Sequence, residues 1–178
     1  MVIRRSVLRG VAIGAVGLLA VGATQQSASA TYYDGGMPSL SFTVRPVNVN
    51  DVWIGYLDTA RGYWNATSAG THITRTTTSK NTYTAGRWNY SWGGRYTPTG
   101  SGSGRTFTIE VNVQYLEARA GSSLKTWILS TSTHELGHAL KLADNPGTTR
   151  ASLMKYDRDP AKIYKPQSYD ISEVVKYS

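Results

Sequence analysis

The sequence predicts an α+β domain, with a sheet and its helices first and an irregular tail carrying one more helix last. Three observations lead there. Short runs of apolar–polar alternation recur between residues 40 and 113, two longer stretches repeat apolar residues at helical spacing, and turn-forming residues break the chain after residue 142.

Taken in order, Leu40-Ser41-Phe42-Thr43-Val44 alternates like a strand and Pro46 ends it. Asn50 or Asp51 can cap a helix that begins near Val52, because Trp53, Ile54, Leu57, Ala60 and Trp64 recur on one face. Residues 72–78 are rich in β-branched side chains and predict a second strand. Residues 87–92 alternate aromatic and polar side chains and predict a third. Residues 93–105 hold five glycines among Ser, Thr and Pro and predict a mobile loop. Residues 106–113 alternate through Phe107, Ile109, Val111 and Val113, which predicts a fourth strand. A long helix is expected from about 123 to 142, then a turn at Asn145-Pro146-Gly147. The last helix starts at Ser168 or Asp170 and runs through Val175. No internal repeat and no second domain emerges.

Residues 1–30 predict an export signal. Arg4, Arg5 and Arg9 precede an apolar run over 11–23, and Ala28-Ser29-Ala30 is a small-residue cleavage site. The run is short against the roughly 20 apolar residues of a membrane span and contains Gly14, Gly17 and Gly22. Arg4-Arg5 also resembles a twin-arginine motif, with Ile3 where Ser or Thr is usual, so either export route fits. Residues 31–178 then form one domain with no membrane span. The first 30 residues hold three basic side chains and no acidic one, so the net charge of +8 falls to +5 for the remainder. The basic residues are scattered, which predicts a solvated basic surface and argues against nucleic acid as a partner. With no cysteine there is neither a disulfide nor a thiol to gate a metal.

The chemistry-bearing pattern is His134-Glu135-Leu136-Gly137-His138 in the long helix. Residues i and i+4 lie one turn apart on one face, so both imidazoles can reach one zinc ion. Glu135 is rotated about 100° from His134, within reach of a metal-bound water without being a ligand. That is the arrangement of a zinc-dependent peptide hydrolase with Glu135 as general base. Leu129, Leu136 and Leu140 form a stripe roughly opposite the two histidines, and the helix carries few charges, so it is expected to be buried between layers. A catalytic zinc needs a third protein ligand. Asp144 is nearest, His72 is the only other His, and Asp157, Asp159 and Glu173 are further candidates whose spacing does not point at the metal.

His134-Glu135-x-x-His138-x-x-Lys141-x-x-Asp144 resembles the long zinc motif of the metzincin metallopeptidases. Asp at the last position is similar to the snapalysins, small secreted bacterial neutral proteases. The resemblance implies Asp144 as third ligand, Met154 in Ser152-Leu153-Met154-Lys155-Tyr156 as the methionine of a Met-turn, and Tyr156 as an aid to the transition state. It also implies a twisted, mostly parallel sheet with two helices, a small C-terminal subdomain with one helix, and a large apolar or aromatic preference just after the cut. Where the family has Gly, this chain has Lys141. A sharp helix exit with positive φ would cost Lys about 1–2 kcal/mol; a helix that instead runs on to Asn145-Pro146-Gly147 would carry Asp144 past the metal.

The expected protein is therefore a secreted, monomeric zinc endopeptidase acting on extended peptides or unfolded proteins, with the substrate paired along an edge strand at 106–113. A structural calcium is compatible with the chain, although no acidic cluster predicts one. Two other readings remain. One is an exported carbohydrate- or wall-binding module using Trp88, Tyr90, Trp92 and Tyr96; the other is an inactive metal-binding pseudoprotease.

Overall fold

The computed structural model describes residues 31–178; the export signal predicted for 1–30 lies outside them. Five strands, β1 (Ser41–Pro46), β2 (His72–Arg75), β3 (Thr82–Gly86), β4 (Gly94–Thr99) and β5 (Thr106–Asn112), form one sheet in the order β2-β1-β3-β5-β4. Strands β1, β2, β3 and β5 are parallel and only β4 is antiparallel, at the edge beside β5. The α-helices are α1 (Asp51–Asn65), α2 (Val113–Ala120), α3 (Leu124–Ala139) and α4 (Ser168–Tyr177). The mostly parallel sheet with helices is the expected class.

Helix α1 begins as its sequence predicts: Asn50 is the N-cap and its side chain accepts from Trp53 N at 3.4 Å. Leu57, Ala60 and Trp64 are fully buried on its inner face. Helix α3 is buried on every side from Ile128 to Ala139, as a helix between layers must be. Two buried polar bonds fix its rotation. Trp64 Nε1 of α1 donates to Thr133 O at 2.9 Å, and Tyr83 OH of β3 shares a hydrogen bond of 3.0 Å with Ser132 Oγ. Both bonds fall in the turn before His134, so packing of α1 and β3 decides where the histidines point.

Three sequence expectations are overturned, all between 82 and 120. Residues 87–92 are not a strand; the strand is the run just before, Thr82–Gly86, held between β1 and β5. The aromatic alternation has a different cause. Trp88 and Trp92 pack at 5.6 Å and Tyr90 stacks on Trp92 at 5.5 Å. Fully buried Asn112 supplies hydrogen bonds that a partner strand would give, accepting from Trp88 N at 3.1 Å and donating to Trp88 O at 3.0 Å and Trp92 O at 3.1 Å. Second, the glycine-rich stretch is not all loop, because Gly94–Thr99 pairs antiparallel with β5 from Gly94↔Val111 to Thr99↔Thr106. Third, β5 is paired on both sides, so the free edge on its side of the sheet belongs to β4 and not to residues 106–113. Helix α2, which follows β5 directly, has no counterpart in the sequence reading, where Val113 extends the strand.

Candidate metal centre

Helix α3 ends at Ala139, and the chain leaves it through a Schellman motif. Leu142 N donates to Gly137 O at 3.0 Å and Lys141 N to His138 O at 3.0 Å. The residue in the left-handed conformation is Lys141, at φ 69°. The sharp exit therefore forms without glycine, and the alternative of a longer helix does not occur. What offsets the strain is visible. Lys141 Nζ donates to Tyr177 O at 2.8 Å, and Gly36 lies so close that a Cβ there would sit 2.7 Å from Lys141 Cα. Residues 31–37 strap the exit with Tyr33 N to Lys141 O, Ala143 N to Thr31 O and Met37 N to Ala139 O, each 2.8 Å.

The exit returns Asp144 to the histidines. Its Oδ1 lies 3.0 Å from His134 Nε2 and 3.5 Å from His138 Nε2. The ligand atoms of these three residues lie within 4.8 Å of one another, and no other such group of His, Cys, Asp or Glu occurs among the described residues. Both rings are oriented from behind. His134 Nδ1 bonds Leu153 O at 3.0 Å and His138 Nδ1 bonds Leu142 O at 2.8 Å. A carbonyl only accepts, so each Nδ1 carries the proton and each Nε2 presents a lone pair to the centre. Asp144 Oδ1 is buried and has no hydrogen-bond partner. Two lone pairs and a carboxylate oxygen facing one point with no proton between them repel, and a cation bound there relieves that repulsion. The residues thus fit a zinc ion held by two His and one Asp.

Burial pushes the Glu135 carboxyl up to about 7 and pushes His138 down to about 4. Glu135 is 5% exposed, with Oε2 4.0 Å from His138 Nε2. Burial also opposes ionisation of Asp144, yet His134, His138 and the Tyr156 hydroxyl together hold its carboxyl below the usual range. Tyr156 is 69% exposed and lines the same cleft, where the Asp144 charge raises its phenol. The other sequence candidates lie elsewhere. His72 is on β2, the edge of the sheet remote from β4. Asp157 pairs with Lys155 at 3.7 Å, Asp159 with Lys162 at 3.4 Å, and Glu173 accepts from Thr31 Oγ1 at 2.6 Å.

Met154 is 1% exposed and packs under α3, its sulfur 2.7 Å from where a Cβ on Gly137 would stand. The turn that carries it is held by Asp170 of α4. That carboxylate, 1% exposed, accepts from Ser152 Oγ at 2.5 Å, Leu153 N at 2.8 Å and Gln167 N at 2.8 Å. Sequence reasoning placed Asp170 only at a helix start; nothing in the chain signals that it braces the carbonyl orienting His134. Gly94 is a second residue it missed. A Cβ there would stand 2.3 Å from Glu135 Oε1, so the first residue of β4 must be glycine for the edge strand to pass the carboxylate.

The three residues, Glu135, Tyr156, Gly94 and Tyr96 line one cleft of about 750 Å³. No protein-family model matches the chain, and no curated protein sequence is similar to it. Among solved structures, a chain of the ECX AB5 holotoxin in its GM1-bound form is similar at 12% identity and TM-score 0.58, over 83% of this chain and 86% of that one. This likeness is one of fold. Archaemetzincin from Archaeoglobus fulgidus, complexed with malonate, is 12% identical at TM-score 0.45 over 74% of this chain and 98% of that one. High choriolytic enzyme 1, a hatching enzyme zinc-protease from the medaka fish Oryzias latipes, is 14% identical at TM-score 0.46 over 83% and 94%.

Proposed function

We propose that this protein is a zinc-dependent endopeptidase of metzincin type, with the His-His-Asp ligand set that resembles the snapalysins. The observation that carries the reading is the convergence of His134 Nε2, His138 Nε2 and the orphaned Asp144 Oδ1 beside the buried carboxyl of Glu135. His134, His138 and Asp144 would hold the ion, which would acidify a water and polarise the scissile carbonyl. Glu135 accepts the proton of the attacking water and passes it to the leaving amine. A carboxyl lifted by burial toward neutral pH suits both halves of that transfer. Tyr156, exposed on the cleft wall and within the influence of the Asp144 charge, turns toward the oxyanion. The substrate lies extended against the free edge of β4 and adds a strand to the sheet.

Residues 1–30 act as an export signal cleaved after Ala30, and the protein works outside the cell as a monomer. The carbohydrate-binding reading is less well supported, because Trp88, Tyr90 and Trp92 stack on one another and use up ring faces that a sugar would need. The pseudoprotease reading rested on Lys141 displacing Asp144, and Lys141 takes the left-handed conformation that returns it.

The test is hydrolysis of an unfolded protein by the purified, zinc-loaded protein, with and without a chelator. Glu135→Ala is expected to retain zinc and lose cleavage, and Asp144→Ala to lose zinc. Full zinc occupancy with no cleavage by the unmodified protein would overturn the reading.

A further inference from the structure

Arg158 lines the cleft beside Glu135, with Trp127, Thr131 and Pro160 as neighbours in the same wall. Its guanidinium is clamped. Nε donates to Ser130 Oγ at 3.2 Å and Nη1 to Lys155 O at 2.9 Å. Ser130 is itself fully buried and donates to Ile163 O at 2.7 Å, so the anchor is rigid. Ser130 stands one turn before His134 on α3, so the arginine sits at the N-terminal end of the metal-binding turn, and Glu135 leads the acidic groups whose charge acts on it. Among the described residues no carboxylate lies within 4.0 Å of Arg158, and Nη2 makes no hydrogen bond to them. The acidic groups that act on it from further off, Glu135, Asp144 and Asp170, each have another role. A half-buried cation with one free edge of its planar fork is suited to a carboxylate supplied from outside.

Direction along the substrate follows from Glu135. Its proton goes to the leaving amine, so the residue that contributes that amine lies next to Glu135, in the part of the cleft that Arg158 lines and where the charge of Glu135 reaches it. We propose that Arg158 forms a carboxylate-binding subsite for the residue following the cleaved bond. This rests on the peptidase reading and differs from the large apolar preference implied by the family resemblance. The carboxylate is either an Asp or Glu side chain or the free C-terminus of a short peptide.

The experiment uses zinc-loaded protein from the full chain and peptides differing only after the cleaved bond, Glu against isosteric Gln. Each is made with free and amidated C-termini. In parallel, Glu135→Ala is titrated with the same peptides to read binding without turnover. The unmodified protein is expected to favour Glu over Gln by roughly ten-fold or more in kcat/KM. A side-chain source keeps that ratio on amidation; a terminal source instead gives a free-over-amidated preference. Arg158→Gln brings the ratio near one, and Arg158→Lys retains part of it. Because each ratio is taken within one protein, partial loss of folding cancels. Ratios near one in every arm, or ratios unchanged in Arg158→Gln, would overturn the subsite. Preferential binding by Glu135→Ala with no hydrolysis by the unmodified protein upholds the subsite and sinks the peptidase reading; hydrolysis without preference does the reverse.

Discussion

Replacing Glu135 by Gln should stabilise the metal-free protein, and more so as pH rises. The carboxyl goes from 4.5 in the unfolded chain to about 7 when buried in the fold. Between those values the folded state keeps a proton that the unfolded state has released, so stability falls as pH rises through that window. At about 1.4 kcal/mol per pH unit the full loss is about 3 kcal/mol above pH 7, and linkage puts it at about 1 kcal/mol at pH 5. Gln fills the same space and does not titrate. For a domain of this size about 3 kcal/mol corresponds to about 5–10 °C in Tm. The assay is thermal unfolding of the unmodified protein and Glu135→Gln in chelator, from pH 5 to pH 8.5, followed by circular dichroism. The variant's advantage should grow across the range and shrink when zinc is added, since the cation favours the ionised carboxylate. A Tm difference that is flat with pH, or one that favours the unmodified protein at pH 8.5, would refute the argument that this carboxyl is held in the fold at the expense of stability.

Two further substitutions probe the supports. Asp170→Ala leaves the donors Ser152 Oγ, Leu153 N and Gln167 N without their acceptor in a buried site; a loss of about 3 kcal/mol is expected in denaturant unfolding, with weaker zinc affinity because Leu153 O no longer fixes His134. Gly94→Ala pushes a methyl against Glu135; it should cut kcat/KM by more than about ten-fold while zinc content stays full, since a 1 Å misplacement of the base is costly.

The chemical core of the site was legible because it is local. His134, Glu135 and His138 share one helix, and helical spacing alone sets them on neighbouring faces. Helices α1 and α4 were legible for the same reason, through the Asn50 cap and the start near Ser168. Asp144 was legible as the nearest carboxylate and through the family pattern, but its return was not, because it depends on Lys141 adopting a conformation that Lys disfavours. That choice is made by Gly36 and Tyr177, neither close in sequence. The sheet between 82 and 112 was misread where side-chain alternation had another origin. Asn112 holds residues 88–92 from below, so their aromatics alternate without strand partners. The glycines of 93–104 suggested mobility, whereas Gly94 is there for lack of space. Arg158 carries no sequence signal, since its meaning lies in a hydrogen bond to buried Ser130 of α3, 28 residues away in sequence.

The strap over the helix exit also bears on when the site comes into being. The loop that carries Asp144 is bridged to residues 31–37 on one side and to Tyr177 on the other, and Thr31 reaches Glu173 across a sequence separation of 142. Contacts that span so much chain close slowly and late in folding. A growing polypeptide that has not yet released α4 holds both histidines but cannot lock the turn that delivers the third ligand. Assembly of the His134–His138–Asp144 group is thereby tied to completion of the fold, a delay built into topology.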